Sequence, residues 1–157
     1  MSPLGGIPIL NEVVHSYPHW QMIVKRAKIS GLKYLPSLIS SIPETQISLI
    51  GYSLGCRIIH YGMLKYKPTI SLNAVNNIIL LAGAIRTIKW EAIAGKIRGN
   101  VYNFYNRNDL VLNDYFSQFG LYPYQSCGIH AIKTHSRKIK NAVLYQVQLL
   151  YKLLLPL

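Results

Sequence analysis

The sequence predicts an α/β protein with about three to four mostly parallel strands flanked by helices. Three observations predict it. Short β-rich runs alternate with stretches of helical period. One run, residues 76–82, is nearly continuously apolar through Ile78, Ile79, Leu80 and Leu81, as in a strand buried on both faces. The pentapeptide Gly51-Tyr52-Ser53-Leu54-Gly55 stands where another run gives way to a helix.

Taken in order, residues 1–8 are a Gly/Pro lead-in. Over 9–28, Ile9, Val13, Trp20, Ile23, Val24 and Ala27 approximate helical spacing, with Pro18 as a kink and Gly31 as the end. Residues 32–42 read as a second, shorter helix begun or interrupted near Pro36, and 43–45 as a turn. Residues 46–51 form a short strand, and 54–66 a helix stopped before Pro68. The strand at 76–82 follows, then a short helix or loop over 86–98. A third strand over 100–106 is rich in β-formers. Residues 110–124 read as loop and short helix, and 127–133 as a fourth short strand. Ser136 is placed to cap a final helix through 155, with Val143, Val147, Leu150 and Leu154 on one face. The expected organisation is a single domain, 1–157, with a helical lead-in over 1–45.

Composition narrows the function classes. A chain of 157 residues suits one domain, and 50% hydrophobic residues exclude a disordered chain. Seventeen Lys and Arg against five Asp and Glu give a net charge of +12, which favours an anionic partner such as nucleic acid or an anionic membrane surface. Lys25, Arg26, Lys28 and Lys33 form one basic cluster, and Lys133, Arg137, Lys138 and Lys140 another. No nucleic-acid motif accompanies them, so they read first as a solvated basic surface. Two cysteines without a CxxC spacing exclude a disulfide scaffold, and no metal-ligand or cofactor pattern is present. The first residues carry no basic leader followed by an apolar stretch, and the uncharged run 68–85 holds too many polar residues for a bilayer span. The expected location is cytoplasmic, with a membrane-peripheral position open.

The pentapeptide fits G-x-S-x-G in a strand–turn–helix setting. A nucleophile on such a turn sits in a cramped backbone, so its neighbours lack side chains where strand and helix approach. The helix N-terminus then aims free N–H groups at developing negative charge, and the N–H of Leu54 would be one oxyanion donor. The competing reading is a tight turn with Ser53 as a helix cap. A serine nucleophile needs a base, and the base an orienting acid, in the chain order serine, acid, histidine. Only Glu91, Asp109 and Asp114 are acids beyond Ser53. Asp109 follows the third strand at the carboxyl edge of the sheet, where sites gather, although Asn-Asp turns are also common. His130 and His135 are the histidines beyond it. His135, between the expected fourth strand and the final helix, is the favoured base, and His130 the alternative.

These residues resemble the serine α/β-hydrolase superfamily. The stretch Leu49-Ile50-Gly51-Tyr52-Ser53-Leu54-Gly55-Cys56-Arg57-Ile58-Ile59 looks like its elbow strand and helix. The stretches over 77–84 and 101–112, with Cys127-Gly128-Ile129 and His135-Ser136, are similar to the later strands, the acid loop and the tail. The nearest group is the poorly characterised transmembrane and coiled-coil domain hydrolase-like proteins. The resemblance covers roughly 45–155 and implies a partial α/β-hydrolase-like fold, limited to the C-terminal half. It implies hydrolysis of a small-molecule or lipid-like ester by Ser53, His135 and Asp109. Hydrolases of this kind place several strands before the elbow strand, whereas the lead-in over 1–45 here reads as helical. The Ser53 strand then becomes a parallel edge, open to a partner or to self-association. The loop that gives the second oxyanion donor is also missing, which leaves a non-catalytic, truncated hydrolase-like protein as the alternative.

Overall fold

The structure is a computed structural model that describes residues 7–68, 74–113 and 126–144. Its elements are α1 (Ile7–Ser41), β1 (Gln46–Tyr52), α2 (Leu54–Lys65), β2 (Ala74–Leu81), α3 (Trp90–Ala94), β3 (Val101–Tyr105) and β4 (Ile139–Val143). The four strands form one sheet in the order β1-β2-β3-β4, parallel throughout. This is an α/β architecture with helices against the sheet.

A parallel sheet that adds strands in sequence order carries its right-handed crossovers on one face. The core follows that rule. It joins Cys56, Ile59 and Met63 of α2, Trp90, Ile93 and Ala94 of α3, and Val75, Ile78, Leu80, Val101 and Ile139 of the sheet. Leu35 and Ile39 of α1 enter the same core. Ile50, one residue out of phase with Leu49, is 67% exposed.

The lead-in departs from expectation. It is one helix, with Pro18 and Pro36 inside it, rather than two. Gly31 does not end it. A Cβ at Gly31 would strike the carbonyl oxygen of Ile58, and one at Gly62 would lie 2.5 Å from Leu35 Cδ2. Gly31 is the point where α1 and α2 cross closely, so its missing side chain serves packing and the helix runs on through it.

The C-terminal expectations are also corrected. Residues 127–133 do not form a strand. They begin as a turn and continue as irregular backbone. Gly128 N–H donates to Gly83 O (3.0 Å), and Asn106 N–H to Gly128 O (2.8 Å). The fourth strand is Ile139–Val143, inside the stretch read as helix. Ser136 caps only a turn, accepting from Lys138 N–H at 3.3 Å through its hydroxyl. An asparagine ladder fixes β4. Buried Asn103 lies opposite Asn141 and its Nδ2 donates to Asn141 Oδ1 (3.1 Å) and to His130 O (3.1 Å). Asn141 in turn exchanges two bonds with the Ile132 backbone. The later part of the expected final helix lies outside the described residues, as do residues 114–125.

Candidate active site

β1 ends in a turn that holds Ser53 at φ 49° and ψ −115°. An L residue with a Cβ rarely adopts that backbone, which costs on the order of 1–3 kcal/mol and persists only when its surroundings over-determine it. They do so here. Ser53 N–H donates to Leu81 O (3.0 Å), while Ser53 O accepts from Cys56 N–H (3.2 Å) and Ala84 N–H (3.0 Å). The turn is thus pinned to α2 and to the loop leaving β2. Ala82, on that loop, is also at positive φ, 46°. Two strained residues therefore stand side by side at the carboxyl ends of β1 and β2.

Ser53 occupies the cap position of α2, yet its side chain makes no capping hydrogen bond. The helix-cap reading of Ser53 fails on this point, and the hydroxyl is left for another use. Leu54 opens α2, where an N–H has no carbonyl one turn back inside the helix. The two motif glycines differ. A Cβ on Gly51 would lie 2.8 Å from Ile59 Cδ1 and 2.9 Å from the Cys56 nitrogen, so strand and helix require glycine there. A Cβ on Gly55 would meet nothing within 4 Å among the described residues. Cys56 is a packed thiol. It is fully buried, its Sγ donates to Gly51 O (3.1 Å), and burial pushes its pKa up to about 12.

Asp109 lies on the turn that follows β3, beyond its carboxyl end, and is 4% exposed. Its Oδ1 accepts from Leu112 N–H (3.0 Å) and so caps the helical turn at 110–113. Its Oδ2 is buried with no partner among the described residues. Burial raises the carboxyl pKa, and the amides of Leu112 and Val111 oppose the rise. A buried carboxylate oxygen without a donor is costly, and a ring N–H from a histidine is the kind of group that would relieve it. A second apolar cluster ties this turn to the elbow. It contains Ala82, Ala84, Leu112 and Ile129, with Trp20, Tyr52, Leu54 and Leu144 packed against it.

The two histidines are placed differently. His130 closes the turn that rests on Gly83 and Asn106, its N–H donating to Ser126 O (2.9 Å). Burial, Arg107 and Lys133 lower its pKa. The loop that carries Asp109 is joined to this turn through the Asn106–Gly128 backbone bond. His135 lies on the way down to the start of β4. Its N–H donates to Glu91 Oε1 (2.7 Å), which also accepts from Thr134 Oγ1 (2.6 Å). The structure brings Ser53, Leu54, Asp109 and the His130 turn to the carboxyl edge, and does not bring His135 there. Asp114 lies outside the described residues. Asn103 and Asn141, which hold the His130 carbonyl and the segment beyond it, went unread in the sequence. Their signal was two amides at the same register of adjacent strands, and that register is visible only once β4 is located.

Fold and site together define a parallel α/β protein built around a strained strand–serine–helix turn. Residues 10–150 match the family described as a protein of unknown function, DUF726, and the chain belongs to that family. It is 27% identical over 100 residues to an uncharacterized membrane protein of Schizosaccharomyces pombe, covering 62% of this chain and 13% of that one. It is 31% identical over 97 residues to an uncharacterized membrane protein of Caenorhabditis elegans, covering 59% of this chain and 16% of that one. The chain thus spans a small part of the relatives it matches. No solved structure matches it. Among the described residues no helix is long and apolar enough to cross a membrane.

Proposed function

We propose that the site is a serine hydrolase centre acting on an ester or similar acyl bond. Ser53 is the nucleophile, the Leu54 N–H an oxyanion donor, Asp109 the orienting acid and His130 the base. The observation that carries this reading is the Ser53 backbone, a strained turn whose hydroxyl does not cap its helix. In the reaction, His130 takes the Ser53 hydroxyl proton as oxygen attacks the acyl carbon, then gives it to the departing alcohol. Water reverses the sequence and frees the acid. The partially buried turn and its apolar neighbours Leu54, Tyr52 and Trp20 suit an apolar acyl chain. A membrane surface is the proposed place of action, because relatives are named membrane proteins and the chain carries +12.

The test is steady hydrolysis of a short activated ester by the full chain and four variants. Ser53→Ala, Asp109→Asn and His130→Gln each remove turnover, while His135→Gln keeps it. Equal turnover in wild type and Ser53→Ala refutes the proposal. A non-catalytic reading is favoured by one observation. β1 is an edge strand, with no described strand beyond it to bring a second oxyanion donor. That edge is also where we place a partner or a second copy, if the site is completed by another chain.

A further inference from the structure

Asn103 is a polar residue where the fold calls for an apolar one. It stands in the middle of β3, between Val101 and Tyr105 on the inward face, and is fully buried. Its register partners are Leu80 on β2 and Asn141 on β4. A strand inside a parallel sheet is ordinarily filled with aliphatic side chains.

The direction of the Asn103 amide follows from the backbone around it. Asn141 accepts the Ile132 N–H on Oδ1 (2.8 Å) and donates from Nδ2 to Ile132 O (3.1 Å), so its own amide can point only one way. Asn141 Oδ1 and the His130 carbonyl are both acceptors, and Asn103 turns its Nδ2 to them, at 3.1 Å each. Asn103 Oδ1 is then buried with no partner among the described residues. An aliphatic residue would avoid that penalty. Holding β4 uses one of the two N–H groups, and the other goes to a single peptide oxygen, that of His130.

That bond completes the fixing of His130. Its N–H is bound to Ser126 O (2.9 Å) and its carbonyl to Asn103 Nδ2, so the peptide groups on both sides of its Cα are held. The direction of the Cα–Cβ bond is thereby set, and only the side-chain rotamer remains. The turn itself is tied to the loop leaving β2. Cys127 N–H donates to Ile85 O (2.8 Å), and Gly83 O accepts from Gly128 N–H (3.0 Å) and from Ser126 Oγ (2.5 Å). The next residue of that loop, Ala84, donates its N–H to Ser53 O (3.0 Å). His130 and Ser53 are thus both anchored to one short piece of backbone. His135, by contrast, hangs from the carboxylate of exposed Glu91.

We propose that Asn103 is a positioning residue for His130, its amide setting where the ring leaves the backbone. This rests on His130 as the base of the serine centre proposed above. Asn103 touches no reacting atom and acts through the His130 peptide. Proton transfer from a serine depends steeply on geometry, and a displacement of about 1 Å can cost on the order of a hundredfold in rate.

The test compares the full chain with Asn103→Leu, Ser53→Ala and Lys96→Met. Leucine suits a buried strand and donates no hydrogen bond. Lys96→Met removes bonds at the end of α2 far from the elbow, and so controls for lost stability alone. Each protein is checked for folding by circular dichroism and then read twice, by kcat and KM on a short activated ester and by pH titration of the His130 ring in NMR. In Asn103→Leu, kcat falls roughly ten- to a hundredfold while KM changes less than about twofold. The His130 pKa, lowered in wild type by burial, Arg107 and Lys133, rises toward its ordinary value as the loosened turn admits water. Lys96→Met moves neither readout. Asn103→Thr, also a good strand residue, takes the place of Asn103→Leu if that variant does not fold. A folded variant at 103 in which either readout keeps its wild-type value overturns the proposal, and so does an equal change in Lys96→Met. The serine reading fails separately, when wild type and Ser53→Ala turn over alike. The titration then decides alone: a raised His130 pKa supports the positioning role, and an unmoved one overturns it.

Discussion

Replacing Ser53 by glycine is expected to stabilise this protein, and replacing it by alanine to leave stability nearly unchanged. At φ 49° and ψ −115° the serine carries backbone strain of about 1–3 kcal/mol. Glycine relieves it and loses about 0.5–1 kcal/mol through its greater freedom in the unfolded chain. The net gain is roughly 0.5–2 kcal/mol, or several degrees in melting temperature at about 2–4 °C per kcal/mol for a domain of this size. Alanine keeps the Cβ and hence the strain. It removes only a hydroxyl that makes no cap bond. Chemical denaturation of the three proteins with circular dichroism gives the comparison directly. A loss of about 1 kcal/mol in Ser53→Ala, the usual cost of a deleted helix cap, refutes the reasoning. So does a Ser53→Gly protein less stable than wild type.

Three further predictions concern the frame around the site. Gly51→Ala destabilises by several kcal/mol or prevents folding, whereas Gly55→Ala is neutral or gains up to about 1 kcal/mol, since only the former meets Ile59 and the Cys56 nitrogen; urea midpoints separate the two. His60, 4% exposed with its pKa lowered by burial to about 4, contributes stability fully above its ordinary value and loses it as pH falls through about 4, a loss of roughly 3 kcal/mol. A pH series of melts checks this, and His60→Phe flattens the profile in that window. Lys96→Met costs about 1–3 kcal/mol, because Lys96 Nζ donates to the carbonyls of Met63 (2.9 Å), Leu64 (2.6 Å) and Tyr66 (2.9 Å) at the end of α2; hydrogen exchange at the last turn of α2 reports it.

The first three strands were legible because their apolar runs are long enough to be strands in any context. Ile78 and Leu80 are fully buried, and Val101, Asn103 and Tyr105 alternate inward along β3. β4 was not legible. Only Ile139 of its five residues is buried, so neither period 2 nor an apolar run marks it. What holds it is the Asn103–Asn141 pair, a long-range amide contact that no local window contains. The unbroken α1 was hidden for a related reason. Gly31 is punctuation in sequence, and a helix-crossing contact in space. The serine turn and Asp109 could be read because Ser53 directly follows one clear strand and Asp109 lies on the turn after another. The choice between His130 and His135 depended on where the last strand falls. Placing it at 127–133 set His135 after the strand, at the carboxyl edge. Placing it at Ile139–Val143 puts His135 before it.

The proposed hydrolase centre stands on Ser53 as an activated nucleophile. The most direct measurement is labelling of the folded full chain with a fluorophosphonate probe, followed by mass spectrometry of the modified peptide, with Ser53→Ala alongside. A single adduct on Ser53 is expected, absent in Ser53→Ala and much slowed in His130→Gln. Wild-type protein that is folded by circular dichroism and takes up no probe at Ser53 contradicts it.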